Sequence, residues 1–292
     1  MSDSSLIKKL RDMTQAGVMD VMKALKECND DIDKAAQWLR EKGIVKAAKK
    51  ASATVTEGVA KAIVNGNYAA IVEINSQTDF VVKGEDFQNF VKEIIQIINN
   101  IKPNNIDELN NAKTSKDITV ADLCIELTAK IGEKICVRRI ETINKNDDQM
   151  FATYEHFNGK IAVIILVNKN NAVDMCKSIA MHIAAMNPRF ISANQADPQW
   201  IANETEVLRK QTIAEGKPAD RVDMIIKGRV QKVLAENCLE NQLFIKDQSV
   251  KICDLLKKDN INLIQFKRYE VGEGVEKKVQ NFAEEVAQQM GK

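Results

Sequence analysis

At 292 residues with 45% hydrophobic content, the chain can fill more than one core, so two or more structural units are expected. Its 42 lysines and arginines against 41 aspartates and glutamates leave a net charge of +1 and no global attraction for a nucleic-acid backbone. No run approaches the ~18 apolar residues of a membrane helix, and the polar start MSDSSLIKKLRD has no apolar signal core, so a cytoplasmic protein with no membrane partner is expected.

The first segment reads as three short helices. Ser4 or Ser5 caps a helix carrying Leu6, Leu10 and Met13, and beyond Thr14 and Gly17 a second helix places Val18, Val21, Met22 and Leu25 near one face. Asn29 and Asp30 break the pattern. Ile32, Ala35, Ala36 and Leu39 then recur at helical spacing, with Gly43 as the expected stop. The following IVKAAKKASATVTEG is small, basic and hydroxyl-rich, and reads as a tether.

In GVAKAIVNGNYAAIVEIN two β-leaning runs flank Asn65-Gly66, a pair suited to the positive φ of a tight turn, so a β-hairpin is expected. SQTDFVVKG reads as a short loop. Phe87, Phe90, Val91, Ile94, Ile95 and Ile98 mark one face of an amphipathic helix, ended by an Asn-rich loop with Pro103. Thr119 with Asp122 opens another helix, Gly132 closes it, and ICVRRIETI reads as a strand.

The hairpin unit recurs in MFATYEHFNGKIAVIILVN around Asn158-Gly159, followed by a helix with Val173, Cys176, Ile179, Ala180 and Ile183 on one side. Gly66 precedes Asn75 by the same interval as Gly159 precedes Asn168, which suggests two related strand-strand-helix subdomains. Asp197-Pro198 starts a long polar helix, and Gly216-Lys217-Pro218 reverses the chain. Val222, Ile225, Ile226, Val230 and Val233 continue a second helix, giving a helical hairpin with few core residues whose apolar stripe needs a partner. A helix around Val250 to Leu256, a strand through INLIQFKRYEV and a last helix with Val275, Val279, Phe282 and Val286 complete the chain.

Nothing here has the pattern of an enzyme. The phosphate-binding G-x-x-x-x-G-K-[ST], the dinucleotide G-x-G-x-x-G and the nucleophile G-x-S-x-G are absent, and VGEG at 271–274 reads as a turn. His156 precedes a turn with no serine or cysteine tied to it. Cys28, Cys124, Cys136, Cys176, Cys238 and Cys253 contain no C-x-x-C pair, and with only His156 and His182 beside them no metal site is expected. The thiols are expected to be free and packed, in a reducing compartment.

Thr78-Asp79-Phe80-Val81 is the informative segment, because a phenylalanine beside a carboxylate is unexpected in a loop. From composition alone Phe80 folds back as a lid on the core. The string NSQTDFVVKGEDF, however, resembles the signature segment of the elongation factor Ts family. LRDMTQAGVMDVMKALKE, NDDIDKAAQWLREKG, AKIGEKICVRR, IAMHIAA and RYEVGEGVEKKVQNFAEEVA resemble the same family in the same order, over essentially the whole chain.

That resemblance implies an α+β fold. It comprises a three-helix domain similar to ubiquitin-associated modules with its tether (1–52), a core N-subdomain (53–147), a core C-subdomain (148–187 and 231–271), an inserted coiled-coil hairpin used for dimerisation in some members (188–230), and a C-terminal helix module (272–292). It further implies a non-enzymatic nucleotide-exchange partner of the GTPase elongation factor Tu, with no cofactor or metal of its own. Thr78, Asp79, Phe80 and Val81 match the loop whose aromatic ring disturbs the magnesium and phosphate site of that GTPase. Arg11, Val18, Met19 and Met22 match the helical domain's grip, although Met22 stands where a lysine is usual. Ile131, Gly132, His156 and Met290 match further contacts. Two other readings are a binding module for ubiquitin-like or RNA partners, and a hydrolase using His156 and Asp79.

Overall fold

The computed structural model describes residues 4–14, 16–168, 171–218 and 221–275. Helices and small sheets are mixed, as expected of an α+β chain. Among the described residues there are two compact units: one holds those up to Ile63, Val72–Thr142 and 269–275, and the other holds Val64–Ile71 and Ile143–Arg268.

The first unit begins with helices α1 (Ser4–Thr14), α2 (Val18–Glu27) and α3 (Ile32–Lys50). Leu10, Val21, Ala24, Leu25 and Ala35 close their shared centre, with Leu6, Ile7, Trp38 and Leu39 packed around it. The inward residues of α2 are therefore Val21, Ala24 and Leu25, at helical spacing, whereas Val18 and Met22 are each 43% exposed. Asn29 and Asp30 both take positive φ (53° and 60°), a conformation their short polar side chains tolerate. Asp31 then caps α3 by accepting from the Lys34 N–H at 3.1 Å.

Gly43 does not stop α3, and residues 44–50 are helix where a tether was expected. Alanine and lysine are good helix formers. What Gly43 supplies is clearance: a Cβ there would lie 3.2 Å from the Cβ of Ala129, so its bareness lets two helices approach.

Strands β1 (Glu57–Asn65) and β2 (Tyr68–Ser76) form the expected hairpin, turning on Gly66 (φ 64°) and Asn67, one residue later than the Asn65-Gly66 pair. Instead of a loop, residues Asp79–Lys83 form a short helix, α4, followed by α5 (Glu85–Ile101). The buried face of α5 is the expected one except that Ile97, not Ile95, points inward. A short helix α6 (Ile106–Asn111) interrupts the Asn-rich loop, with the Asn105 side chain accepting from the Glu108 N–H at 2.9 Å. Helix α7 (Val120–Ile131) opens on the Thr119 hydroxyl, which accepts from the Asp122 N–H at 3.0 Å, and closes on Gly132 (φ 85°). Strand β3 (Cys136–Asn144) completes a sheet of order β1-β2-β3. Its central strand β2 is buried along its whole length, which is why YAAIVEINS is nearly continuous in apolar and small residues.

In the second unit β4 (Gln149–Glu155) and β5 (Ile161–Asn168) pair antiparallel from Gln149↔Asn168 to Glu155↔Ala162, with Gly159 at φ 68° in the turn. Helix α8 (Val173–Met186) follows, and then α9 (Pro198–Ala214) and α10 (Val222–Asn237) form the helical hairpin. Asp197 caps α9, accepting from the Gln199 N–H at 2.9 Å, and Pro198 occupies its first position. A small hairpin of β6 (Leu243–Phe244) and β7 (Asp247–Lys251), not anticipated from the sequence, precedes α11 (Ile252–Lys258) and β8 (Leu263–Glu270). The second sheet runs β4-β5-β8, so here too the second hairpin strand is central. Its core joins Val163, Ile165 and Val167 to Cys176, Ile179, Ala180 and Ile183 of α8 and to Leu255 and Leu256 of α11.

Residues 271–274 form a turn, with Gly272 at φ 79° against the Thr56 carbonyl. The expected final helix beyond Val275, and Met290 with it, lie outside the described residues. All six cysteines are free; Cys176 and Cys238 are buried and the other four half-buried. Burial pushes the Cys124 thiol up to about 12, away from reactivity. No helix among the described residues is long and apolar enough to cross a membrane, and no group of histidines, cysteines and carboxylates among them could hold a metal ion.

Candidate partner-binding site

Strand β2 ends on buried Ser76, and the chain leaves the sheet through Gln77 and Thr78 into α4. A helix of five residues forms too few internal hydrogen bonds to offset its nucleation cost, so it has to be held from outside. Three contacts hold it. The Thr78 N–H donates to Glu133 Oε2 at 3.0 Å, and the Thr78 hydroxyl meets both Glu133 oxygens at 2.9 and 3.0 Å. At the far end the Gln88 amide donates to the Val82 carbonyl at 2.7 Å. Val82 points inward, and Gly84 passes close under the Val81 carbonyl.

The outer face of this turn carries Phe80, 83% exposed, so the ring is not a lid on the core. Beside it Asp79 accepts from the Lys83 ammonium at 2.7 Å, one turn on, and that carboxylate raises the lysine pKa. The result is an aromatic ring kept in water next to an ion pair. Covering a phenylalanine is worth about 1.5–3 kcal/mol, which is available only to a partner.

Glu133 directly follows Ile131 and Gly132, so its bonds to Thr78 bring these two sequence-identified segments together. A further stitch runs from the Lys134 N–H to Gln77 Oε1 at 2.9 Å. Glu133 itself was missed. It lies inside the AKIGEKICVRR segment, and the available signal was an acid placed immediately after a helix-closing glycine.

In the helical bundle Arg11, Val18, Met19 and Met22 all face outward, with Met13 exposed as well. Val18, Met19 and Met22 lie within one turn of α2, making an apolar stripe that the bundle core does not use. His156 belongs to the other compact unit. Its Nδ1 lies 3.0 Å from the Tyr154 hydroxyl, and its ring centroid is 4.5 Å from that of Phe157. Phe157 is 93% exposed at the turn tip. Tyr154 and Phe157 are thus the aromatic neighbours of the imidazole.

The comparisons with known proteins agree with one another. A family model described as "Elongation factor TS" matches residues 77–273, which includes the Thr78–Val81 turn and Glu133. The chain is 46% identical over 287 residues to "Elongation factor Ts" of Malacoplasma penetrans (strain HF-2), covering 98% of each chain. It is 43% identical over 289 residues to "Elongation factor Ts" of Mycoplasmoides gallisepticum, covering 99% of each. On these matches the chain belongs to the elongation factor Ts family of translation elongation proteins.

Proposed function

We propose that this chain is a guanine-nucleotide exchange factor: it binds GDP-loaded elongation factor Tu in the cytoplasm, disturbs the Mg²⁺ and phosphate site through Phe80 and its neighbours, and promotes GDP release. The exposed Phe80 ring on a helix turn tied at both ends is the observation that carries this reading. A GTPase holds GDP through backbone N–H groups, a lysine and Mg²⁺, so an intruder that shifts the metal or one peptide removes several charge-assisted contacts at once. No covalent step is needed.

The coupling is reciprocal. If the factor weakens GDP, GDP weakens the factor by the same amount, about tenfold for each ~1.4 kcal/mol, and incoming nucleotide can eject it. In this reading Thr78, Asp79 and Val81 shape the turn, and the stripe of Arg11, Val18, Met19 and Met22 on the ubiquitin-associated-like domain (1–52) grips the GTPase. Ile131 and Gly132 contact it beside the turn, and His156 makes a separate contact from the core C-subdomain. The helical hairpin within 188–230 serves self-association, and Met290 in the C-terminal module (272–292) adds a contact.

The test loads elongation factor Tu with fluorescent GDP and adds this protein in substoichiometric amount. Accelerated release with turnover is expected. Release at the spontaneous rate would overturn the proposal.

A further inference from the structure

We infer that Glu133 is the positioning residue for Phe80, fixing the direction in which the ring is presented, an inference that rests on the exchange reading. Four observations converge on it. First, α4 spans only Asp79–Lys83 and cannot hold its own shape. Second, Thr78, the residue before it, makes no cap with its own side chain; its hydroxyl and N–H are both directed to the Glu133 carboxylate. Third, the same carboxylate lies 3.4 Å from the hydroxyl of Ser76, so it spans the exit from β2 and the entry to α4. Fourth, Glu133 is placed by Gly132, whose φ of 85° ends α7 and turns the chain, and by the neighbouring Lys134 N–H bond to Gln77.

The carboxylates of Glu133 and Asp79 do different things. Asp79 pairs with exposed Lys83 on the outer surface of the turn, where water competes for both groups. Glu133 is half-buried, and it accepts from a backbone N–H that a capping side chain would otherwise serve. Thr78 therefore cannot move without breaking a charge-assisted bond, and Phe80 is two residues away. A ring held in one direction loses little conformational freedom on insertion, whereas a ring on a loose turn would lose more and would disturb the nucleotide site less often. The side chain acts through Thr78 and need not touch the GTPase.

The experiment measures GDP release from elongation factor Tu across a range of factor concentrations, for wild type, Glu133→Ala, Glu133→Gln, Phe80→Ala and the double variant. Glu133→Ala should lower the maximum release rate about tenfold, the loss expected for charge-assisted bonds at one site, with little change in the half-saturating concentration. Glu133→Gln, which can still accept from the Thr78 N–H, should retain the rate to within about threefold. In the Phe80→Ala background the alanine at 133 should cost nothing more, because there is no ring left to position. Amide exchange at residues 78–82 should quicken in Glu133→Ala, and Thr78→Val supplies a second variant that deletes only the hydroxyl and should lower the rate by a few fold.

A folded Glu133→Ala that releases GDP at the wild-type rate, or defects of Glu133→Ala and Phe80→Ala that multiply in the double variant, would overturn the positioning role and leave the exchange reading standing. A wild-type chain without exchange activity would remove both.

Discussion

Glu73 sits fully buried in the middle of β2, and the guanidinium of Arg139 from β3 reaches its carboxylate through Nε. Arg138 adds two contacts at 2.9 and 3.0 Å, the Asn75 amide donates at 2.9 Å, and the Gly272 N–H donates at 2.8 Å. The buried charge thus joins the central strand to the turn at 271–274. Arg139 also lies over the Tyr269 ring at 3.9 Å, a second contact that holds the same guanidinium. Such a pair says little about net stability when whole, but removing one partner leaves the other uncompensated.

Glu73→Ala should therefore destabilise by about 3–5 kcal/mol and lower the melting temperature by roughly 10 °C. Burial by itself raises the Glu73 pKa, but the Gly272 N–H, Asn75 and Arg139 together outweigh it and hold the carboxyl below its usual value of 4.5. The sign follows: this contribution is present above the unfolded value and is lost as pH falls through the folded one. Melting curves from pH 7 to 3 should show wild type falling more steeply than Glu73→Gln. Parallel curves would contradict the charge assignment.

His182 gives a second pH window, of the same sign but nearer neutrality. The ring is fully buried on α8, its Nδ1 accepts from the Ile245 N–H at 3.2 Å, and Nε2 lies 3.0 Å from Gln242 Oε1. Accepting at Nδ1 means the proton is carried on Nε2 and the imidazole is neutral. Burial lowers its pKa below 6.5, with the Gln242 bond opposing in part. The unfolded chain takes the proton first, so this stability is complete above 6.5 and declines as pH falls toward the folded value. Thermal melts from pH 7.5 to 5 should show wild type losing more than His182→Gln. Equal slopes would mean that the ring titrates freely.

Glycine conformation separates two positions in β1 and its turn. Gly58 has φ 152°, and a Cβ there would collide with the Ile74 carbonyl of the neighbouring strand; Gly66 has φ 64° with open space around it. Gly58→Ala should cost more than about 3 kcal/mol, and Gly66→Ala about 1 kcal/mol, the penalty of a left-handed residue alone. Denaturant titration decides the order. Equal costs would show that β1 shifts away from β2 without penalty.

The features legible in the sequence were those written locally. Thr119 with Asp122, Asp197 with Pro198, and the glycines at 66, 132 and 159 each act within a few residues, and their elements appear where local chemistry puts them. Gly43 misled because its partner, Ala129, is distant in sequence and the requirement is close packing, not termination. The Thr78–Val81 segment stood out through an aromatic beside a carboxylate and through its family likeness, but neither the exposure of Phe80 nor the helical form of the turn was legible, since the latter depends on Glu133, 55 residues away from Thr78. Glu73 was invisible for the same reason, as an acid in an apolar strand has meaning only once Arg138 and Arg139 are seen beside it.

Phe80→Ala tests the proposed function directly. The ring packs on little of its own protein, so the variant should melt within about 1 °C of wild type, since a surface side chain contributes at most a few tenths of a kcal/mol. Its acceleration of GDP release should fall by more than about tenfold, the equivalent of losing ~1.4 kcal/mol or more of differential binding. Calorimetry should place the loss on the nucleotide-free GTPase. A stable variant with undiminished exchange would rule out the ring as the disturbing element.

The helical hairpin supplies the last prediction. Its own interior is thin: Thr212, Val222 and Ile226 are its buried residues, with Arg229 bonded to the Thr212 hydroxyl at 3.1 Å and to Glu215 at 2.6 and 2.9 Å. Ile213 remains 59% exposed and Met224 71%, apolar surface that a second copy of the same hairpin can cover. Replacing both by glutamate adds like charges to each copy, so association should weaken by more than about tenfold while the isolated hairpin keeps its internal bonds. On the proposed self-association, sedimentation velocity should show a slower species for this variant than for wild type, with GDP release within about twofold of wild type because Phe80 lies in the other compact unit. If release collapses while sedimentation is unchanged, the hairpin serves the GTPase instead, and the self-association role must be given up.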